Sequence, residues 1–310
     1  MRFGEKRDHR GSEVEILEID SSFAGTRLKS CTREVSWRNT MNYAAALNDD
    51  NGFYLDDEGQ NQLVAHPMYC AAVTWPVVEK IWEFIEADDF PMEILATQVH
   101  YSEHIEFFRL VSPGDRLEVR GKIAAILPHR AGTHVVIRFD VTDDKHQPVF
   151  TEHIGSIMRG VHCIGGGKGE ERLPRIPDKT VSHSPVWESR IFIDRLLPFV
   201  YDGCSGIVFP IHTSKKFARQ VGLPDIILQG TASLGLAIRE LVNRESDGNP
   251  TGIRTLYGRF SGRVPPGTEI KVMLVKKECL EGITDLYFCV MNAADEPVIK
   301  DGFARFSQNS

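Results

Sequence analysis

The chain has 310 residues, 42% hydrophobic and 25% charged, a normal globular composition whose length fits two domains of roughly 150 residues better than one. Its 36 Lys and Arg against 43 Asp and Glu leave a net charge of −7, which argues against a nucleic-acid partner, since phosphate backbones are met by a basic excess. The six cysteines, Cys31, Cys70, Cys163, Cys204, Cys279 and Cys289, lie far apart with no Cys-x-x-Cys pair, so the usual metal and redox spacings are excluded.

From the N-terminus, residues 1–11 are charged and lack an apolar core region. No segment approaches the roughly 20 apolar residues needed to span a bilayer. The C-terminal Phe306-Ser307-Gln308-Asn309-Ser310 is unlike a peroxisomal Ser-Lys-Leu signal. A soluble, intracellular, cytoplasmic protein is expected. Residues 67–87 carry Trp75, Val78, Ile81, Trp82 and Ile85 at helical spacing, and Pro76 within them predicts a kink or a break. Three strands follow, at 116–125, 133–142 and 149–161, with Asp143-Asp144-Lys145 as a turn.

The same unit then recurs. Phe108 to Val119 aligns with Ser261 to Val272, so that Pro113-Gly114 and Pro266-Gly267 each join two period-2 segments, 153 residues apart. The second copy has a helix candidate at 230–244, carrying Leu234, Leu236, Ile238, Leu241 and Val242, then strands at 269–277, 284–291 and 298–306. Between the copies, Gly165-Gly166-Gly167-Lys168-Gly169 and the prolines at 174, 177 and 185 read as a linker. The division expected is a first domain at 1–163, a linker at 164–187 and a second domain at 188–310. A helix followed by an antiparallel sheet, given twice, is an α+β pattern, with the two sheets joined edge to edge in one layer.

The most informative segment is Ser205-Gly206-Ile207-Val208-Phe209-Pro210-Ile211-His212, followed by Ala218, Gly222-Leu223-Pro224 and Gln229-Gly230-Thr231. It resembles the signature of the MaoC-like (R)-specific enoyl-thioester hydratases and dehydratases, which runs Ser-Gly-Asp-x-Asn-Pro-Ile-His, then a short helix ending in Ala, a Gly-Leu-Pro turn and a small-residue entry to a central helix. The first half has a weaker version, Tyr43-Ala44-Ala45-Ala46-Leu47-Asn48-Asp49-Asp50-Asn51-Gly52-Phe53-Tyr54, with Leu63-Val64-Ala65-His66-Pro67-Met68 where Ile226 to Thr231 falls in the second. The resemblance implies two tandem hotdog domains, each a long central helix wrapped by an antiparallel sheet. It also implies a hydro-lyase acting on an enoyl or β-hydroxyacyl thioester, or a related β-hydroxycarbonyl intermediate.

In that family an Asp and a His of the motif act across the α,β double bond, and backbone N–H groups at the start of the central helix polarise the carbonyl. Water addition β to a carbonyl builds enolate charge on its oxygen, and a helix start offers unpaired donors aimed at it. Here Ile207 stands at the Asp position and Phe209 at the Asn position, leaving His212; in the first half Asp49 and Asn51 match, while Gly52 and Tyr54 replace Pro and His. The loss of Asp from the second half points to a specialised dehydration, isomerisation or carbon–carbon cleavage. Candidate catalytic groups are therefore His212, Asp49 and His66, the last at the entry of the first central helix. Candidate substrate-binding residues are Gly230, Gln229, Asn51, Tyr54, Phe209 and Arg263, with the pocket expected between the halves beside His212 and Gly230. Lys215, Lys216, Arg219, Arg259 and Arg263 are either a solvated basic face or a phosphate-binding set. Asp49, Asp50, Asp56 and Asp57 lack the spacing of a calcium loop, and no metal or cofactor is called for. The partners implied are a small-molecule substrate on CoA or a carrier protein and a second copy of the chain, without nucleic acid or membrane. The alternatives are a thioesterase, which needs a carboxylate near the central helix, or a non-catalytic acyl-binding partner, for which the altered motifs argue.

Overall fold

The computed structural model describes residues 6–7, 13–14, 16–59, 61–177 and 184–307. Strands β1 (Lys6–Arg7) and β2 (Glu13–Val14) pair with each other, and β3 (Glu18–Asp20) runs parallel to the later β9 (His162–Ile164). The first half supplies β4 (Arg27–Glu34), β5 (Gln98–Phe107), β6 (Arg116–His129), β7 (Gly132–Thr142) and β8 (Pro148–Arg159). The second supplies β10 (Trp187–Phe192), β11 (Ile253–Phe260), β12 (Glu269–Leu280), β13 (Ile283–Asn292) and β14 (Pro297–Ser307). These ten strands make one sheet in the order β10-β12-β13-β14-β11-β5-β8-β7-β6-β4, every neighbouring pair antiparallel. The halves join where β11 pairs with β5, Thr255 opposite Glu106 and Arg259 opposite Ser102. Both strands fall outside the segments read as strands from the sequence.

The helices are α1 (Trp37–Ala46), α2 (Gly52–Leu55), α3 (Tyr69–Glu79), α4 (Ile81–Phe84), α5 (Leu197–Ser205), α6 (Lys215–Gln220) and α7 (Gly230–Glu245). Helix α7 buries Leu234, Leu236, Ile238, Leu241 and Val242, the stripe its spacing predicts. The single helix expected at 67–87 is instead α3 and α4. Pro76 has no N–H for the Ala72 carbonyl, and the chain leaves helical geometry at Lys80 (φ −120°, ψ 37°). Among the described residues no helix is long and apolar enough to cross a membrane. Of the expected linker, residues 178–183 lie outside the described residues, while Lys168 exchanges backbone hydrogen bonds with Ile126.

The repeat holds at the level of single hydrogen bonds. Gly114 (φ 92°) and Gly267 (φ 85°) sit in the left-handed region that their turns require. Gly114 N–H donates to the Val35 carbonyl as Gly267 N–H donates to that of Ile193. Ala65 N–H donates to Val111 O as Leu228 N–H does to Val264 O, which makes His66 the counterpart of Gln229 and Pro67 that of Gly230. After α1 and α5 the chain turns through positive φ at Asn48 and Gly206, which aligns Asp49 with Ile207, Asn51 with Phe209 and Tyr54 with His212.

The halves also interlock through side chains. A Cβ on Gly235 of α7 would lie 2.7 Å from Leu47 Cδ1, so only glycine lets the first-half loop approach the helix this closely. Arg239, one turn on, donates to the carbonyls of Leu47 and Asn48 at 2.7 and 3.2 Å. The Asp49 loop is thereby held by the second half's central helix.

Candidate active site

Asp49 follows α1 in a loop closed by its own backbone, its N–H donating to Ala44 O. His66 stands at the entry of α3, and its Nδ1 accepts from Met68 N–H at 3.2 Å. That bond fixes the proton of the neutral imidazole on Nε2. Nε2 in turn lies 3.8 Å from Asp49 Oδ2. The structure thus brings together two of the three catalytic candidates, from segments that the family motif does not join.

Tyr54 completes the cluster, its ring centroid 5.5 Å from that of His66. Asp49, His66 and Tyr54 are at most 2% exposed, and Asp49 Oδ2, His66 Nε2 and Tyr54 Oη have no hydrogen-bond partner. Three unpaired polar atoms in one buried place cost free energy, on the order of 1–3 kcal/mol each, that a purely structural core would avoid. Burial pushes the Asp49 carboxyl up to about 6, against the smaller pull of the Asn51 N–H and the Arg239 charge. The same burial pushes His66 down to about 3, so it is neutral near pH 7. It also keeps the Tyr54 hydroxyl protonated far above the ordinary phenol range.

Asn51, read from the sequence as substrate-binding, has its amide already engaged. Oδ1 accepts from Phe53 N–H, and Nδ2 donates to Gly248 O at 2.6 Å and Asn243 Oδ1 at 3.3 Å. Its role is to fix the loop to the end of α7. Beside it opens a cavity of about 290 Å³ lined by Asn51, Gly52, Phe53, Asp56, Gly59, Asn61, Asn243, Asp247 and Gly248. The pocket was expected beside His212 and Gly230, and neither residue lines this cavity. At Gly230 the Phe260 ring packs within 3.1 Å of where a Cβ would stand.

In the second half His212 Nδ1 donates to Ile227 O at 2.8 Å, which leaves Nε2 as the bare nitrogen, and burial pushes the ring down to about 4. Its neighbour in space is Phe209, with ring centroids 6.4 Å apart, not Asp49. Phe209 and Arg263 are exposed. Lys215 pairs with Asp225 at 3.3 Å. Gln229 Nε2 donates to Pro198 O at 3.0 Å, while its Oε1 is buried without a partner. The start of α7 keeps the amide donors of Gly230 and Thr231, which no intrahelical acceptor can reach. The start of α3 does not: Pro67 has no N–H at the matching position, and Met68 N–H is committed to His66.

Sequence reasoning missed the hydroxyl pair of Tyr43 and Tyr201 and the buried carboxyls Glu103 and Glu152. The first was findable, since the two tyrosines occupy the same position relative to Asp49 and Ile207. Among the described residues no group of three or more His, Cys, Asp or Glu side chains is arranged to hold a metal.

Residues 195–287 match the family model of the MaoC like domain, and residues 22–152 match the FAS1-like, dehydratase domain region. The chain is 24% identical over 237 residues to "Probable enoyl-CoA hydratase 2" of Dictyostelium discoideum, covering 74% of this chain and 75% of that one. It is 31% identical over 116 residues to "Enoyl-CoA hydratase 2, peroxisomal" of Arabidopsis thaliana, 37% of this chain and only 34% of that relative's length. Among solved structures, a MaoC-like dehydratase from Phytophthora capsici superposes with a TM-score of 0.78 at 20% identity, covering 92% of this chain and 97% of that one. With the helix-on-sheet unit present twice in one ten-stranded layer, the chain has a double hotdog fold whose second half matches the MaoC like domain and whose first half matches the FAS1-like dehydratase region.

Proposed function

We propose that the protein is a hydro-lyase that adds or removes water across the Cα–Cβ bond of an enoyl or β-hydroxyacyl thioester, or of a related β-hydroxycarbonyl intermediate, with Asp49, His66 and Tyr54 as its working groups. The observation that carries this reading is the convergence of their three unpartnered polar atoms, with His66 Nε2 3.8 Å from Asp49 Oδ2. Asp49, with its carboxyl near 6, is suited to give and take a proton close to neutral pH. In the hydration direction it removes a proton from water as the oxygen bonds to Cβ. The π electrons move toward the carbonyl, and the proton on Asp49 passes to Cα. His66 cannot act as the base, because its Nδ1 lone pair is taken and Nε2 carries hydrogen; it donates to the water and orients it. Tyr54 O–H donates to the carbonyl oxygen as charge develops there, in place of the backbone donor that Pro67 removes.

The same reading makes the substrate a thioester on CoA or a carrier protein and the enzyme a cytoplasmic homodimer. It is tested by the turnover of a panel of enoyl and β-hydroxyacyl thioesters. The wild type is expected to turn over at least one of them, and Asp49→Asn to lose about 10² to 10⁴ of that rate with its fold intact. A wild type inert toward the whole panel, or an Asp49→Asn variant as fast as wild type, overturns the assignment.

A further inference from the structure

The ten-stranded sheet ends in two edges, and they differ. Along β4 the outer side is covered: Leu28 bridges Ile85, the Glu86 N–H donates to Arg27 O at 3.0 Å, and the Lys29 ammonium donates to Glu83 O at 2.9 Å. Along β10 no described strand pairs with the outer side. Just past the end of β10, Ile193 N–H donates to Thr268 O at 2.8 Å, in the same register that sets Phe192 opposite Glu269. Backbone groups alternate in direction along a strand, so those of Trp187, Ser189 and Ile191 turn to β12, and those of Glu188, Arg190 and Phe192 point away from the sheet. Unpaired N–H and C=O groups in such a row are a template for another strand.

The residues of this edge are their own complement. Val186 and Phe192 are 58% and 62% exposed, and the exposed Glu188 and Arg190 stand between them. Laid antiparallel against a second copy about a twofold axis at Ser189, the segment sets Glu188 opposite Arg190 of that copy, Arg190 opposite its Glu188, and Phe192 opposite its Val186. Opposite charges then meet opposite charges and apolar meets apolar. A slip of two residues either way sets Glu188 against Glu188 or Arg190 against Arg190, so the charges fix the register. Charges of one sign would keep a second strand away; one of each sign, placed symmetrically about Ser189, draw it in. Within the chain Arg190 is held loosely, its guanidinium 3.9 Å from Glu188 and 4.0 Å from Glu269. The strand itself is fixed in advance: Trp187 Nε1 donates to Glu245 at 2.6 Å, and Arg244 lies 5.0 Å over the Trp187 ring and donates to Ser189 Oγ at 3.3 Å. A preformed strand gives up little freedom on association.

We infer that β10 is the docking edge for β10 of a second copy of this chain, paired antiparallel about Ser189 so that two ten-stranded sheets continue into one. The inference rests on the homodimer of the proposed function and names its contact face; it uses none of the chemistry. Glu188 N–H donates to Arg190 O of the second copy and accepts in return from the N–H of that Arg190, and the twofold axis repeats the exchange. The Glu188 carboxylate and the Arg190 guanidinium pair across the same seam. Ser189 meets Ser189 at a position without hydrogen bonds, where the two Cα atoms stand closest. The strand has 6 residues and its ion pairs face solvent, so the association is weak, depends on concentration and loosens with salt.

The test follows the full chain by sedimentation velocity through a dilution series, as wild type, Arg190→Glu, Glu188→Arg and the exchange Glu188→Arg/Arg190→Glu, with thermal unfolding as a folding control. The wild type is expected to form dimers at the concentrated end. Either single reversal sets like charges opposite each other twice and should abolish the dimer over the same range, while the exchange, which keeps the symmetry of signs, should restore it. Ser189→Cys under mild oxidation should give a covalent dimer that the wild type with its own cysteines does not, because the opposed Cα atoms lie about 4.5 Å apart, within disulfide reach. A wild type that is monomeric throughout, single reversals that dimerise as the wild type does, or an exchange that stays monomeric overturns the inference. Should a reversal fail to fold, Ser189→Cys decides alone, and cross-linking no greater than that of the wild type overturns it. Turnover of the thioester panel keeps the two readings apart: a wild type that dimerises through β10 and turns over nothing sinks the Asp49 assignment and leaves the edge standing, and an active monomer does the reverse.

Discussion

The hydroxyls of Tyr43 and Tyr201 lie 2.8 Å apart in the buried centre of the molecule, at equivalent positions of the two halves. Tyr43 also donates to Met68 O at 2.8 Å, so its single hydrogen is spent and Tyr201 is the donor in the pair. A chain of hydrogen bonds thus runs from the start of α3 across the interface of the halves. Tyr43→Phe removes both bonds and leaves the Met68 carbonyl and the Tyr201 hydroxyl buried without that partner. The expected cost is about 1–3 kcal/mol, read as a lower urea midpoint at unchanged slope. A double change with Tyr201→Phe should cost less than the sum of the two single changes, because they share a bond.

The pH dependence of turnover follows from Asp49. With its carboxyl near 6, the base is lost as pH falls through that value, so kcat/KM for hydration should drop tenfold per unit on the acid side. Stability runs the other way. The folded value lies above the ordinary 3.8, so Asp49 contributes most below about 3.8 and that contribution is lost as pH rises to about 6. Melting temperatures across this window should fall less with pH in Asp49→Asn than in wild type.

Arg239 links the second half to that titration. Its charge lowers the Asp49 pKa, and its Nη1 holds the Leu47 and Asn48 carbonyls. Arg239→Gln should therefore move the acid limb of the pH–rate profile to higher pH and lower turnover at pH 6. An acid limb that stays in place would show that the guanidinium does not act on Asp49.

Glu103 and Glu152 set a second pH window. Burial pushes Glu103 up to about 8 and Glu152 well above the usual carboxyl range, with the Glu103 charge as the next cause for Glu152. Both are raised, so the stability they allow is complete below about 4.5 and is lost as pH rises through 8. Glu152→Gln should raise the melting temperature at pH 8 to 9 and flatten its decline, with little effect near pH 5. Equal pH profiles for the two proteins would show that the pair does not titrate.

The turns and the central helices were legible because Pro113-Gly114, Pro266-Gly267 and the stripe of α7 obey local rules of turn chemistry and period. The joining strands were not. In β5 the inward positions are Glu103, Ile105 and Phe107, and a charged residue in an inward place hides the alternation that marks a strand. In β11 two register shifts, between Ile253 and Thr255 and between Tyr257 and Arg259, break the period of two. Asp49 and His66 were both candidates from the sequence, but their contact was not legible: the motif places a histidine at Tyr54, and only the closure of the loop onto the α3 entry brings the later one to it. Phe209, in contrast, sits where the motif puts it and faces solvent, so position in a pattern did not give its role.

Covalent joining of the halves has a consequence for how the site can change. If two identical chains met across the same seam, each substitution would appear twice, and a proline in place of the first helix donor would remove both donors at once. Here Pro67 and Gly230, like Asp49 and Ile207, occupy matching places and are encoded separately. One half is therefore free to lose a donor and keep its carboxylate while the other does the reverse. Arg239 and Asn243 then make the first half's loop dependent on the second half's sequence. Divergence of either half alone is limited less by its own chemistry than by the loop of its neighbour that it has to hold.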